Sequence, residues 1–203
     1  MQHRLAPILL ALLLGACTTS GSVRSQANYA ATAARLNVCS GYGCPIRESF
    51  SLTAAQQAKL ARLMAPGRAT PAAEREAVRK AVAAMERFAR HTLRHRPDVR
   101  QSWQRHRNKR GQMDCVDESE NTRGYLVHLM NSGLLVHHKP QRGYAERGIL
   151  VGRFYPHKSA VMRAPDGTDW AVDSWKGDNG SPPEIMRLAE WRKDRASPDA
   201  YRP

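Results

Sequence analysis

The chain has 203 residues, 41% of them hydrophobic, and carries 32 Lys and Arg against 18 Asp and Glu, a formal net charge of +14. This length fits one ordinary domain with extensions, and the apolar content is sufficient for a core, so a chain of several domains is not expected. Such a positive charge commonly indicates a nucleic-acid partner. The start of the chain argues against that interpretation.

Residues 1–16 are predicted to form an export signal. A cationic head precedes an apolar run from Ile8 to Leu14, which is too short to span a membrane as a mature helix. The run ends in Leu14-Gly15-Ala16-Cys17, which resembles the signal of bacterial lipoproteins. The resemblance implies cleavage before Cys17 and lipidation of its thiol. With Thr18 next, it also implies a lipid anchor in the bacterial cell envelope, at the outer membrane and facing the periplasm. An ordinary secretory signal or an uncleaved anchor is the alternative.

Export changes how the charge is interpreted. Removing residues 1–16 takes away only Arg4, so the mature part keeps +13 (14 minus 1), and the segment from Glu86 to Arg110 holds nine Lys or Arg against two acidic residues. An exported protein meets anionic lipid headgroups and cell-wall polymers. We therefore expect an anionic envelope surface as a partner and no nucleic acid. A solvated basic helix face is an equally good interpretation.

Residues 17–50 are predicted to be a tether that carries a cysteine loop. Thr18 to Leu36 is small and polar with little apolar periodicity, as in flexible linkers. Cys39 and Cys44 then flank a glycine-rich turn, and in an oxidising compartment a local disulfide is expected. A metal pair, which lacks two further ligands nearby, or two thiols are the alternatives. No metal or cofactor is expected.

The predicted catalytic domain, residues 51–203, opens with two helices. Apolar residues recur at helical spacing from Ser51 to Met64, and again from Pro71, a residue suited to a first turn, to Leu93. Pro97 is expected to end or kink the second helix.

A third helix is predicted to begin at Cys115. Asp114 is a good N-cap, Asp117 completes a capping pair, and an apolar stripe follows. A helix start favours a thiolate, and a cysteine left outside the expected disulfide suggests reactivity. Cys115 is therefore the predicted nucleophile, with a small buried hydrophobe as the alternative.

Two strands are predicted around Pro165-Asp166-Gly167. If these three residues form the loop, Ala164 faces Thr168, and His157 and Asp173 become diagonal neighbours on one face of the hairpin. A two-residue loop would place them on opposite faces.

A cysteine at a helix start, a histidine on one strand and an aspartate on the next resembles the transglutaminase-like superfamily, and within it the bacterial transglutaminase-like cysteine peptidases. The resemblance covers about Gln112 to Trp175 and implies an α+β, papain/transglutaminase-like fold in which the Cys115 helix packs on an antiparallel sheet. It also implies a Cys115, His157, Asp173 triad that hydrolyses amide bonds in a protein or peptide substrate, which includes cell-wall peptides. Gln112 is a candidate oxyanion donor beside the amides at the helix start. A transamidase, an NlpC-type cell-wall amidase and a catalytically silent envelope-binding module are the alternatives.

Three further elements are predicted. His137 and His138 are expected at the surface, after a short strand at residues 134–136. A core strand is expected at residues 148–154, and a short helix from Glu184 to Trp191.

Overall fold

The computed structural model describes residues 35–98, 100, 106–147 and 157–194. The predicted export signal, Cys17 and most of the predicted tether lie outside these residues, as does the predicted strand at 148–154.

The first described element is an antiparallel hairpin of β1 (Arg35–Ser40) and β2 (Ile46–Ser51). Leu36, Val38 and Phe50 of this hairpin are buried in the main core. The structure therefore differs from the predicted domain boundary at residue 50, because the hairpin packs with the domain. The alternation of apolar side chains in β1 is short and ends at the Cys39–Cys44 loop. The sequence pattern was therefore too short to predict a strand.

Two helices follow, and both begin at a threonine cap. In α1 (Ala54–Met64), Thr53 and Gln56 form a capping box, and in α2 (Pro71–Leu93) the Thr70 hydroxyl accepts the amide of Ala73. The two predicted helices are thus confirmed. However, α2 ends before Pro97, because Arg94 adopts a left-handed conformation with φ of 55°.

The helix α3 (Cys115–Asn131) packs across the main sheet. The strands of this sheet are β3 (Lys139–Pro140), β4 (Ala145–Arg147), β5 (His157–Arg163), β6 (Asp169–Asp173) and β7 (Glu184–Arg187). The sheet is antiparallel, in the order β3-β5-β6-β7, with β4 also pairing to β5. This arrangement confirms the α+β class and the helix-on-sheet packing.

The core lies between α2, α3 and the sheet. Val82 and Met85 of α2, Leu126 and Leu129 of α3, and Met162 of β5 are fully buried there. Within the described residues, no helix combines the length and apolar character needed to cross a membrane.

The predicted helix from Glu184 to Trp191 is half wrong. Its first half is β7, which pairs with β6 from Trp170 to Asp173, and its second half is the short helix α4 (Leu188–Trp191). The predicted strand at residues 134–136 is an irregular turn after α3. In both places the backbone conformation is determined by long-range contacts, which the local sequence pattern does not contain.

Candidate functional site

The site begins at the first turn of α3. The Asp114 carboxylate accepts hydrogen bonds from the amides of Val116 and Asp117, and Asp117 accepts the Asp114 amide in return. The predicted capping box is thus confirmed. It fixes Cys115 as the first residue of the helix, where the backbone amides point out of the helix end.

A disulfide-closed loop holds this turn from outside. Cys39 and Cys44 are bonded, which confirms the predicted pair. The amides of Tyr42 and Cys44 both donate to the Asp117 carboxylate, at 2.7 and 2.6 Å. All four residues from Gly41 to Cys44 have positive φ values, from 62° to 91°. Successive backbone amides of a tight turn can converge on one anion. The loop is therefore a carboxylate-binding nest for the helix that carries Cys115.

The second half of the site comes from the register of β5 and β6. Val161 pairs with Ala171 and Arg163 with Asp169, and the Ala164 amide donates to the Thr168 carbonyl. This is the predicted three-residue loop, and it places two polar side chains on one face. His157 Nε2 lies 2.7 Å from Asp173 Oδ2, and the residues are 1% and 2% exposed.

Two tryptophans enclose the imidazole. The His157 ring centroid lies 4.7 Å from that of Trp175 and 5.4 Å from that of Trp191. The indole N–H of Trp191 also donates to Asp173 Oδ2, at 2.8 Å. Trp191 therefore contacts both members of the pair. Trp191 lies 18 residues beyond Asp173 in a short helix without a motif of its own, so the local sequence did not indicate this role.

The charge state of Asp173 follows from these contacts. Burial raises the pKa of this carboxyl, but the hydrogen bond and charge of His157 and the Trp191 N–H together hold it below its ordinary value. Asp173 is thus an ionised carboxylate in a buried setting. It fixes the proton of His157 on Nε2 and leaves Nδ1 as the ring nitrogen that can accept a proton.

Buried polar atoms without a hydrogen-bond partner collect around this pair. Among the described residues, His157 Nδ1, Asp173 Oδ1 and Trp175 Nε1 have no such partner. Buried polar groups are nearly always paired, so a cluster of unpaired ones needs an explanation. A reacting group that binds here would supply partners.

The sulfur of Cys115 lies against β5, where the Lys158 backbone N–H donates to it. Burial raises the pKa of the Cys115 thiol to about 12, and the carboxylates of Asp114 and Asp173 act in the same direction. The resting thiolate predicted from the helix start is therefore wrong. Desolvation and two nearby negative charges outweigh the amides at the helix end.

Gln112 has a structural contact. Its side-chain N–H donates to the Pro97 carbonyl at 3.1 Å, and its backbone carbonyl accepts the Gly41 amide. These bonds hold the segment that leads into α3. An oxyanion role for Gln112 stays a prediction, and the amides at the helix start remain the simpler donors.

Behind the site lies a group of buried carboxyl groups. Glu118 accepts from the Ser174 hydroxyl, which lies 2.6 Å from the hydroxyl of Thr122. Burial raises the pKa of Glu118 well above its ordinary value, and burial raises that of Glu86 to about 8. Glu86 therefore keeps its proton near neutral pH, and burial shifts the pKa of Glu118 in the same direction.

His138 corrects another prediction. It is 1% exposed rather than on the surface, and its Nδ1 lies 2.7 Å from Glu74 Oε2. Glu74 also accepts the amides of Val136, His137 and His138, so its carboxylate organises the turn after α3. The signal was absent from the local sequence because Glu74 is 64 residues away.

The described residues contain no group of three or more His, Cys, Asp or Glu side chains arranged to hold a metal ion. Comparison of the chain with protein-family models, with curated proteins and with solved structures found no match.

Proposed function

We propose that the protein is a cysteine-dependent amide-bond hydrolase with Cys115 as nucleophile, His157 as general base and acid, and Asp173 as the group that orients His157. The observations that support the proposal are the buried 2.7 Å contact between His157 and Asp173, and the buried Cys115 thiol at a helix start that accepts the N–H of Lys158, the residue after His157. We further propose a papain/transglutaminase-like fold and an envelope-anchored, lipidated mature form. These rest on the resemblance stated above.

The chemistry follows from the charge states. Because the resting group is a thiol, His157 Nδ1 takes the Cys115 proton as the sulfur attacks the substrate carbonyl carbon. The negative oxygen that forms is stabilised by backbone amides, with that of Cys115 as the first candidate. His157 then gives the proton to the leaving amine, and a thioester remains. Water, deprotonated by His157, attacks the thioester and releases the acid and the thiol.

The orienting role of Asp173 has a physical basis. The imidazolium that forms during proton transfer would be costly at a site that is 1% exposed. An ionised carboxylate 2.7 Å from Nε2 compensates that charge and keeps Nδ1 in place as the acceptor.

One observation favours a second function, a silent binding module that keeps the fold. Cys115 is only 8% exposed, and its thiol pKa is raised to about 12. The two functions differ in how alkylation depends on His157. In an enzyme, His157→Ala slows labelling of Cys115 by a peptide electrophile at pH 7, and in a silent module it has no effect.

The decisive experiment compares digests. Purified cell wall and envelope proteins are incubated in ¹⁸O-water with wild type, Cys115→Ala, His157→Ala and, as a control, His91→Ala at an exposed position of α2. We expect new carboxyl ends with one ¹⁸O for wild type and His91→Ala only. New amide links in place of labelled acids would indicate a transamidase. Identical fragments from Cys115→Ala would refute thiol chemistry.

A further inference from the structure

A cleft of about 370 Å³ separates the β1–β2 hairpin from the exposed side of α3. Its lining includes Arg35, Asn37 and Cys39 of β1, Arg47 of β2, and Arg123 and Gly124 of α3. The space above Gly124 is open, since a Cβ built there would meet nothing within 4 Å. A concave, open surface of this size suits a chain-like ligand better than a flat membrane.

One wall of the cleft is a strand edge. The side chain of Asn121 bonds both backbone groups of Cys39, with the Cys39 N–H donating to Oδ1 at 2.7 Å and Nδ2 donating to the Cys39 carbonyl at 3.0 Å. The backbone groups of Cys39 therefore point away from β2. In an antiparallel pair the direction alternates, so Asn37, two residues earlier, also points its N–H and carbonyl away from β2.

This edge is open at Asn37 in the part of the chain that the structure describes. No backbone or side-chain group there bonds the Asn37 N–H or carbonyl. An unpaired strand edge is a template for an added strand, and extended peptides bind many proteins this way. Asn121 already acts as the first rung of such a ladder, at Cys39.

The cleft also has an excess of positive charge. Arg35, Arg47 and Arg123 line it against one acidic residue, Glu120. None of the three arginines forms an ion pair with a described carboxylate, in contrast to Arg163, which pairs with Asp169. Two are held in place, because Arg35 Nε donates to the Ser49 hydroxyl at 2.7 Å and Arg123 Nε donates to the Gln141 carbonyl at 3.2 Å. Guanidinium groups recognise carboxylates through paired N–H donors.

The length of the cleft sets the size of the ligand. From Glu120 to Asn131, α3 advances about 16 Å, which matches about five residues of extended chain. We propose that the cleft binds an extended segment of a partner protein with Asp or Glu at alternate positions, added as a strand to β1. Alternate residues of a strand share one face, so their carboxylates would all meet the arginines.

The charges decide between occupants. Residues 18–34 of this chain contain no Asp or Glu and one Arg, and a second copy carries the same +14. Neither complements the cleft, whereas an acidic peptide does. The proposal does not depend on the proposed thiol chemistry, since binding can be measured in Cys115→Ala protein.

The test is fluorescence anisotropy with a labelled heptapeptide of alternating Glu and Val, on the full chain carrying Cys115→Ala. We expect binding that weakens at high salt, no binding of a Lys-Val peptide, and at least about tenfold weaker binding after Arg35→Glu with Arg47→Glu. The single change Arg123→Glu, within the cleft, should also weaken binding. Its control is Arg62→Glu, at an exposed position of α1 outside the cleft, and this control should leave the affinity unchanged. Unfolding midpoints check that each variant is folded.

Strand addition has its own readouts. A peptide that is N-methylated on the alternate amides that face β1 should not bind. The Asn37 amide should exchange slowly with solvent only when peptide is present. Equal binding of the N-methylated peptide, or of an anionic polysaccharide, would reduce the cleft to a charged surface and overturn the proposal. Slow exchange of Asn37 without peptide would overturn it too, because the edge would already be occupied.

Discussion

Trp191 shows how much of the site depends on single contacts at the scale of residues. Its N–H donates to Asp173 Oδ2 and its ring lies beside His157, so it both orients the carboxylate and excludes water from the imidazole. A hydrogen bond to a charged group contributes about 1.5 to 3 kcal/mol to stability, and only the part that orients His157 affects kcat. This interaction can be removed while an aromatic ring is kept at position 191.

We predict that Trp191→Phe lowers kcat about fivefold to tenfold with little change in KM, because a smaller aromatic ring still packs beside His157 while Asp173 loses a donor. Steady-state kinetics on a substrate identified from the digests measures this. Trp170→Phe is the matched control, since the Trp170 N–H has no partner among the described residues. Equal losses in both variants would mean that packing alone matters.

The sequence predicted the residues of the site better than their state. The cap pair Asp114 and Asp117 and the loop Pro165–Gly167 are local signals, and they correctly placed the start of α3 and the register that joins His157 to Asp173. The protonation of Cys115 was predicted wrongly because it depends on burial under β5. That contact forms only when segments more than 40 residues apart pack together.

At the scale of elements, the disulfide loop and α3 act as one unit. Two loop amides donate hydrogen bonds to the Asp117 carboxylate, and the Gly43 amide donates to Asp114 at 3.2 Å. Burial and the charge of Asp114 raise the pKa of Asp117 to about 7, which makes this carboxyl dependent on the loop amides for its ionised form. Opening the loop would therefore loosen the turn that carries Cys115.

We predict that reduction of Cys39–Cys44, or Cys39→Ala with Cys44→Ala, lowers the free energy of unfolding by about 2 kcal/mol or more. About 2 kcal/mol follows from closing so short a loop, and the loss of the Asp117 contacts adds to it. Urea unfolding with and without reductant, in Cys115→Ala protein, measures the difference. An unchanged midpoint would show that the loop does not support α3.

Two elements, the β1–β2 hairpin and β7, were not predicted from the sequence. Both the β1–β2 hairpin and β7 are short and owe their conformation to distant partners: Asn121 of α3 bonds β1, and β6 pairs with β7. Local periodicity contains neither contact. By contrast, α1 and α2 carry their own caps at Thr53 and Thr70, so their starts were predictable.

At the scale of the whole molecule, two buried carboxyl groups on α2 give stability opposite dependences on pH. Glu74 accepts three amides and the His138 ring; burial opposes this, but together these donors hold its pKa below the ordinary value. Its contribution is present above pH 4.5, its ordinary pKa, and is lost as the pH falls through the lower, folded value.

Glu86 behaves the other way. Burial raises its pKa from 4.5 to about 8, so between these values the folded state keeps a proton that the unfolded chain has released. We predict that stability falls as pH rises from 5 to 8, with Glu86 contributing a slope of up to about 1.4 kcal/mol per pH unit.

Glu86→Gln keeps an oxygen to accept the Gly180 amide and cannot ionise, so it should flatten this slope and stabilise the protein at pH 8. Denaturant unfolding at several pH values measures both effects, with Glu76→Gln, at an exposed position of α2, as the control. If Glu86→Gln leaves the slope unchanged, the proton is held elsewhere, and Glu118 becomes the carboxyl to replace.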